Sequence, residues 1–526
     1  MKKNVCVVLS QLCFLVATMM AVSDAVVAGA TESVPDATPI YAIAISEQTA
    51  ADPEWAKVRD ALAAKHSDPA TVGELRRVVT ILWKGNVGES LTALRESHPK
   101  WVCFVTTPED ATGAFVAAVH QLTRRIDDDP YTDCYWAILT GYDAECALRI
   151  AEHSEPLMIR RALAGTEIAM PRFEEGVWYS ESVKHEMERK EPGGEPVRSK
   201  EGPADTTRVL AESLATADVF ITSGHATQRD WQIGYAYRNG SFRCENGRLY
   251  GLDTRNEKIS IDAPNPKVYL AVGNCLMGDI DGRDAMALAF MNNSGVTQLV
   301  GYTVPTWYGY GGWGVLDYFV EQPGRFSLTE SFFANNQAII FRLERYFPDV
   351  LRQMHETQTA TEAGEDSGSP RRIQLVMTPE AQAEGLTPQD CVGLIHDLDT
   401  VAFYGDPAWD ARLTPQSLCW DQRLTEESAD DGKTKYTLDI VPNRGAESFA
   451  PINTNGSQRG GRPVFVPLPV RINAESVEIV ESAGLAPVIT ENFVMFAQPS
   501  PEAVETAASH PDAAIRICFT ARTANE

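Results

Sequence analysis

Along the chain, short apolar runs alternate with stretches whose apolar residues recur at helical spacing. Ile40 to Ser46, Arg77 to Trp83, Trp101 to Thr106 and Cys134 to Leu139 carry the branched and aromatic residues of buried strands. Around them, Glu54 to His66, Glu89 to Ser97, Thr112 to Arg125 and Asp143 to His153 repeat the helical pattern. Strands separated by helices of this length predict right-handed crossovers and a parallel sheet. A second block opens near Pro171 with strand Gly176 to Ser182. Glu188 to Thr206 is charged and rich in Pro and Gly, which predicts an exposed loop, and Arg208 to Ala217 predicts a helix. Val219 to Ile221 and Val268 to Val272 read as two more buried strands, and the Asn-Gly pairs between Trp231 and Asp262 predict a hairpin excursion. Strand Val296 to Tyr302, helix Leu328 to Phe347, a connector from Ala363 to Arg371, helix Pro379 to Leu398 and strand Val401 to Tyr404 complete the α/β pattern.

Beyond Asp410 the helical period stops. Tyr436 to Ile440, Val464 to Val470, Ser476 to Val480, Phe493 to Phe496 and Ile515 to Thr520 predict a small β-sandwich, with a mobile loop over Asn443 to Arg462. The chain holds 526 residues, more than one hydrophobic core normally serves. The expected division is a leader at 1–30, a first α/β subdomain at 31–170, a second at 171–415 and an all-β module at 416–526. No internal repeat is present.

The leader has the form of a secretory signal: Lys2 and Lys3, a mostly apolar run from Val5 to Val22, and the small residues Ala28-Gly29-Ala30. An exported protein is expected, secreted, periplasmic or on the cell surface, with no membrane span once the leader is removed. The formal net charge of −26 becomes one unit more negative without the leader, which carries Lys2, Lys3 and Asp24. Such a chain repels phosphate, which argues against nucleic acid and anionic membranes as partners. Eight cysteines remain after position 30, without dense disulfide spacing; Cys134 and Cys146 can pair only if packing brings them close. No C-x-x-C or H-x-x-x-H occurs, so no zinc site is expected. Asp279, Asp281 and Asp284 resemble the start of a calcium loop without its terminal Glu. Helix capping or pairing with Arg283 is the preferred reading, a structural calcium the alternative, and no other cofactor is expected.

Two strands end alike. VFITSGHA delivers His225 and VYLAVGNC delivers Cys275. Ligands bind at the carboxyl ends of parallel strands, so both side chains are expected at one edge. A thiol has an unperturbed pKa near ~8.5, and a neighbouring imidazole lowers it or takes the proton during attack. Cys275 is therefore the candidate nucleophile and His225 the candidate base. Each alone reads more simply as a core residue; the repeated strand-then-reactive-residue pattern favours chemistry.

The separation of fifty positions from His225 to Cys275 resembles the spacing of caspase-like cysteine peptidases, roughly 50. The local wording is similar to the gingipain family: SGHATQRDW (Ser223 to Trp231), CLMGDIDG (Cys275 to Gly282), GVTQLVGYTVPTW (Gly295 to Trp307) and FYGDPAW (Phe403 to Trp409), in the family's order. The resemblance implies an α/β catalytic unit of two subdomains, a parallel-sheet fold of the caspase and gingipain type, followed by an immunoglobulin-like module. It implies a Cys-His peptidase acting on proteins or peptides, with the backbone N–H groups of Ala226 and Cys275 as oxyanion donors. The family usually has Gly where Ala226 stands, and a β-carbon at positive φ costs about 1 kcal/mol or more. The resemblance also suggests an acidic residue before an equivalent strand in the cleft; Asp129 or Asp133 would then orient His225 or bind a basic substrate side chain, against the simpler reading of a solvated acidic turn. Trp231 and the aromatic loop with Trp307, Tyr308 and Trp313 are the candidate substrate walls. The leading expectation is an exported cysteine endopeptidase working through a thioacyl intermediate. The alternative is a catalytically inactive surface or secreted binding protein on the same fold; a third outcome is that the two strand ends lie apart.

Overall fold

Four parallel strands start the sheet: β1 (Ile40–Ser46), β2 (Arg77–Trp83), β3 (Trp101–Val105) and β4 (Tyr135–Leu139). The computed structural model describes residues 38–354, 374–429, 432–450, 462–509 and 514–524. The leader, the predicted connector from Ala363 to Arg371 and residues 451–461 of the predicted mobile loop lie outside the described residues. β3 is buried throughout, as a central strand covered on both faces must be, whereas β2 exposes alternate residues because it forms the sheet's edge.

Next come β5 (Leu157–Ile159), β6 (Arg161–Ala164), β7 (Glu175–Tyr179), β8 (Met187–Lys190), β9 (Val197–Ser199) and β10 (Val219–Gly224). β11 (Asp230–Gln232), β12 (Ser241–Glu245), β13 (Arg248–Leu252) and β14 (Lys258–Ser260) make an antiparallel sheet of their own, larger than the hairpin expected there. β15 (Lys267–Asn274), β16 (Val296–Tyr302) and β17 (Val401–Tyr404) return to the main sheet, and β18 (Ala411–Leu413) pairs with β5. The main sheet has twelve strands in the order β2-β1-β3-β4-β17-β16-β15-β10-β6-β7-β8-β9. It is mostly parallel; β17 runs antiparallel to β16 and joins β4 through the Tyr404–Ile138 pair.

Three further differences from the sequence expectation have clear physical reasons. The predicted loop Glu188 to Thr206 contains the antiparallel pair β8 and β9, whose solvated faces let charged residues sit in strands. β6, next to β10, was not expected because RALA is too short and polar at its start to show a buried run. The predicted helix Pro379 to Leu398 is two helices, Pro379–Ala383 and Pro388–Asp397, broken where Gly385 takes φ 74° ahead of Pro388.

The C-terminal part is antiparallel: β19 (Trp420–Ser428), β20 (Thr434–Pro442), β21 (Val464–Pro467), β22 (Ile472–Glu481), β23 (Val488–Ile489), β24 (Phe493–Phe496) and β25 (Ile515–Thr523). They form two sheets, β19-β20-β25-β22 and β21-β24-β23. Trp420, Tyr436, Phe496 and Phe519 fill the space between, while Phe465 and Phe493 pack on Phe333 of the helix Leu328–Tyr346. The eight described cysteines, Cys134 and Cys146 included, are free thiols. Among the described residues, no helix is long and apolar enough to cross a membrane.

Candidate functional site

β10 and β15 lie side by side and parallel, in register from Val219–Val268 to Gly224–Asn274. His225 and Cys275 are the next residue on each strand, so they leave the sheet at the same edge on neighbouring strands, about 4.8 Å apart in strand spacing. The register slips between Thr222 and Ser223, and this bulge sets the last pair. Below it, Asn274 accepts from the Thr222 hydroxyl at 2.5 Å and donates to the Gly224 carbonyl at 3.2 Å, locking the two strand ends together.

The Cys275 thiol is half-buried and lies against the loop after β16: its Sγ accepts from the Thr306 N–H at 3.3 Å. Leu276, the next residue, takes φ 58°, a strained left-handed conformation that turns the chain away and leaves Cys275 at the apex. The His225 side chain is exposed, with its ring against Tyr235, centroids 4.7 Å apart. Among the described residues no hydrogen bond joins the imidazole to Sγ.

Ala226 is not among the residues with positive φ; Gly224 is, at φ 93°. The alanine at 226 therefore carries no backbone penalty, and the requirement for glycine falls two residues earlier. Thr227 N and Gln232 N donate across the short bridge between Ala226 and Trp231, at 2.8 and 2.9 Å. By the alternation of an antiparallel pair, the Ala226 N–H points to the other side, away from this bridge.

Trp231 does not line the cleft. It is fully buried, its indole N–H donates to the Ser223 carbonyl at 2.9 Å, and it packs on Phe220 and Phe242 beneath the His225 strand. Asp129 and Asp133 are also away from it. They precede β4, whereas Cys275 follows β15, and the two halves of the sheet point the same way: a β-carbon on Gly113, after β3, would sit 3.0 Å from Asp279. Five residues of β4 at ~3.3 Å each separate the acidic turn from the reactive edge. There Asp129 accepts from the Tyr131 N–H at 2.7 Å. Burial, with Asp127 beside it, pushes the Asp129 carboxyl up to about 7. Trp307 follows Thr306 directly and is 80% exposed; Trp313 is buried below the loop.

Sequence reasoning missed Glu181. It follows β7, two strands beyond β10, so only sheet order brings it to this edge. Its Oε1 accepts from Thr166 at 3.2 Å, and its buried Oε2 has no partner and lies 3.2 Å from where a β-carbon on Gly224 would stand. Its main-chain carbonyl accepts from the Tyr235 and Ala236 N–H groups. Burial pushes the carboxyl up to about 7, against the lowering effect of Thr166 and Ser223.

The aspartates after Cys275 neither cap a helix nor gather around a cation. The helix Met286–Asn293 has no side-chain cap; Asp279 accepts from Gln228 at 2.9 Å, Asp281 pairs with Arg229 at 2.5 Å and Asp284 accepts from the Asn246 N–H at 3.0 Å. Arg283 pairs with Glu109 instead. Among the described residues, the carboxylates close enough to share a cation are Asp127, Asp133 and Glu491, far from Cys275.

No family model matches the chain, and no curated protein matches it. Its overall layout is similar to the crystal structure of the Arg-specific cysteine proteinase gingipain R, with a TM-score of 0.43 and 9% identity over 88% of this chain and 92% of that one. It is similar also to the complex of Porphyromonas gingivalis RgpB pro- and mature domains, with a TM-score of 0.41 and 9% identity over 88% and 94% of the two chains.

Proposed function

We propose that the chain is an exported cysteine endopeptidase with Cys275 as nucleophile and His225 as base. The observation that carries this reading is the Gly224–Asn274 pair, which sends an exposed imidazole and a half-buried thiol off one edge of one sheet as consecutive residues of adjacent strands. Cys275 Sγ attacks the scissile carbonyl carbon while its proton passes to His225. The N–H groups of Ala226 and Cys275 hold the oxyanion, His225 returns the proton to the leaving amine, and water hydrolyses the thioacyl enzyme. Glu181 acts as a positioning residue through Gly224 and Tyr235, and Trp307 offers an aromatic face to an extended peptide.

The test is a digest of an unbiased peptide library by the full chain, with labelling by a thiol-directed probe. Cys275→Ala is expected to abolish cleavage and labelling; cleavage that persists in this variant eliminates the mechanism. A second reading has one observation in its favour: the imidazole rests on Tyr235 rather than on the sulfur. A catalytically inactive binding protein would leave Cys275 unlabelled at neutral pH and the library intact.

A further inference from the structure

A cavity of about 320 Å³ opens at the opposite edge of the sheet from Cys275. Arg76, Lys100 and Tyr135 stand at the starts of β2, β3 and β4, and Asp406 and Trp409, just past the end of β17, meet them there. Its size is at the lower end of the range for small-molecule sites, roughly 300–1,000 Å³.

The floor is closed and neutralised. Asp406 is fully buried, accepts from Tyr41 at 2.9 Å and pairs with Lys65 at 2.6 Å and His66 at 2.8 Å. Arg76 donates to His66 Nδ1 at 2.8 Å, so Nε2 carries the proton that faces Asp406 and the imidazole is satisfied as a neutral ring. The Arg412 guanidinium is bound by Asp410 at 2.7 Å and lies 3.8 Å from Glu330.

What remains is cationic and aromatic. Lys65, Arg76, Lys100 and Arg412 against Glu330, Asp406 and Asp410 make the lining positive by one charge in a chain whose net charge is −26, and Arg76 pairs with Glu74 at 2.8 Å outside the lining, which leaves the excess on Lys100. Lys100 has no carboxylate partner among the described residues; its ammonium lies 4.6 Å over the Trp101 ring, on which the Arg76 guanidinium also rests at 4.3 Å. Trp101, Tyr135, Trp409 and His153 also line the cavity, the His153 and Trp409 rings touching each other at 5.3 Å and tilted by 60°. A bare inorganic anion would meet the cations and leave these rings unused. An uncharged aromatic body would leave Lys100 unpaired.

We infer that this cavity is a second binding site, separate from the peptidase edge, for an aromatic carboxylate, either a free acid or the C-terminal residue of a peptide. The carboxylate pairs with Lys100 at the rim, and the ring lies against the aromatic lining.

The test is isothermal titration calorimetry on the full chain with N-acetyl-phenylalanine, a tetrapeptide ending in Phe with a free carboxylate, N-acetyl-phenylalaninamide and inorganic phosphate. Saturable binding of at least one of the two carboxylates is expected, and which of them binds tells the free acid from the peptide terminus. The amide and phosphate are expected to bind at least tenfold more weakly, and Lys100→Gln to weaken the carboxylate by a similar factor. No saturable binding by either acid, equal affinity for acid and amide, phosphate binding as tight as the aromatic acid, or indifference to Lys100→Gln overturns the inference. The acid-to-amide comparison needs no variant and does not depend on peptide cleavage.

Discussion

At the edge that carries His225 and Cys275, the two small residues flanking His225 have opposite requirements. Gly224 takes φ 93° and has Glu181 Oε2 where its β-carbon would go, while Ala226 takes no such conformation. Gly224→Ala is therefore expected to cost about 1 kcal/mol or more in a denaturant melt and to reduce turnover at least tenfold. Ala226→Gly is expected to leave kcat/KM within twofold. Glu181 gives the pH dependence of this edge. Its folded carboxyl is raised to about 7, above the ordinary value near ~4.3, so its contribution to stability is complete below the unfolded pKa and is lost as pH rises through about 7. Glu181→Gln, which cannot ionise, is expected to melt above the parent at pH 8 and to change least at pH 5. His225 and Cys275 were legible because each ends an apolar run in its own segment. Glu181 was not, because its place beside Gly224 comes from the order β10-β6-β7, and no local pattern records sheet order. Trp231 was misread for a related reason: its spacing after His225 is local, but the Ser223 carbonyl that takes its indole N–H lies behind the strand.

Among the elements, four strands of the main sheet were read without error at either end. β1, β2, β16 and β17 have the expected limits, since a strand buried on both faces, or an edge strand rich in β-branched residues, needs an apolar run of its own length. Strands with one solvated face, such as β8, β9 and β19, mix charge with apolar residues and lack that signal. The loop between β16 and the helix Trp313–Phe319 is where element and chemistry meet. Its Thr306 N–H fixes the sulfur and its next residue, Trp307, projects into solvent. A side chain 80% exposed adds little to the core, so Trp307→Ala is expected to keep the parent melting temperature and to raise KM for extended peptides several-fold with kcat nearly unchanged. Trp231→Ala is expected to do the reverse of this in the melt, with a loss of about 3–5 kcal/mol from the fully buried indole. The two tryptophans, both read from sequence as substrate walls, are separated by these two measurements.

At the scale of the whole molecule, two charged joints have opposite pH signs. Asp406, from the end of β17, ties the two halves of the main sheet through Tyr41, Lys65 and His66. Burial alone would raise its carboxyl; the neighbouring positive charge outweighs that and holds it well below the usual range. Burial pushes the His66 imidazole down, and the Lys65 ammonium is the partner paired with Asp406 at 2.6 Å. This joint stabilises at any pH above the ordinary carboxylate pKa and is lost only as pH falls through a lower value. The second joint docks the C-terminal sheets. Asn492, beside Glu491, donates to the Asp133 carbonyl at 3.0 Å, and Tyr131 meets Phe493 edge to face at 5.4 Å. Burial first, and then Asp127, Asp129 and Glu491, push the Asp133 carboxyl well above its ordinary value. Arg471 is paired with Glu491 at 2.5 Å, and Tyr131 donates to Glu344 at 2.7 Å, so little positive charge is left for the aspartates. Raised carboxyls stabilise below their unfolded pKa and lose that contribution as pH rises through the folded one; for Asp129 that is about 7. Mild alkali is therefore expected to loosen the C-terminal sheets while the Asp406 joint holds, giving a separate early transition in a melt at pH 8 that merges with the main one at pH 5. Asp133→Asn is expected to shift that early transition upward at pH 8 and to leave the pH 5 melt unchanged; a single transition at both pH values, or an equal shift at both, would show that the acidic turn does not govern the docking.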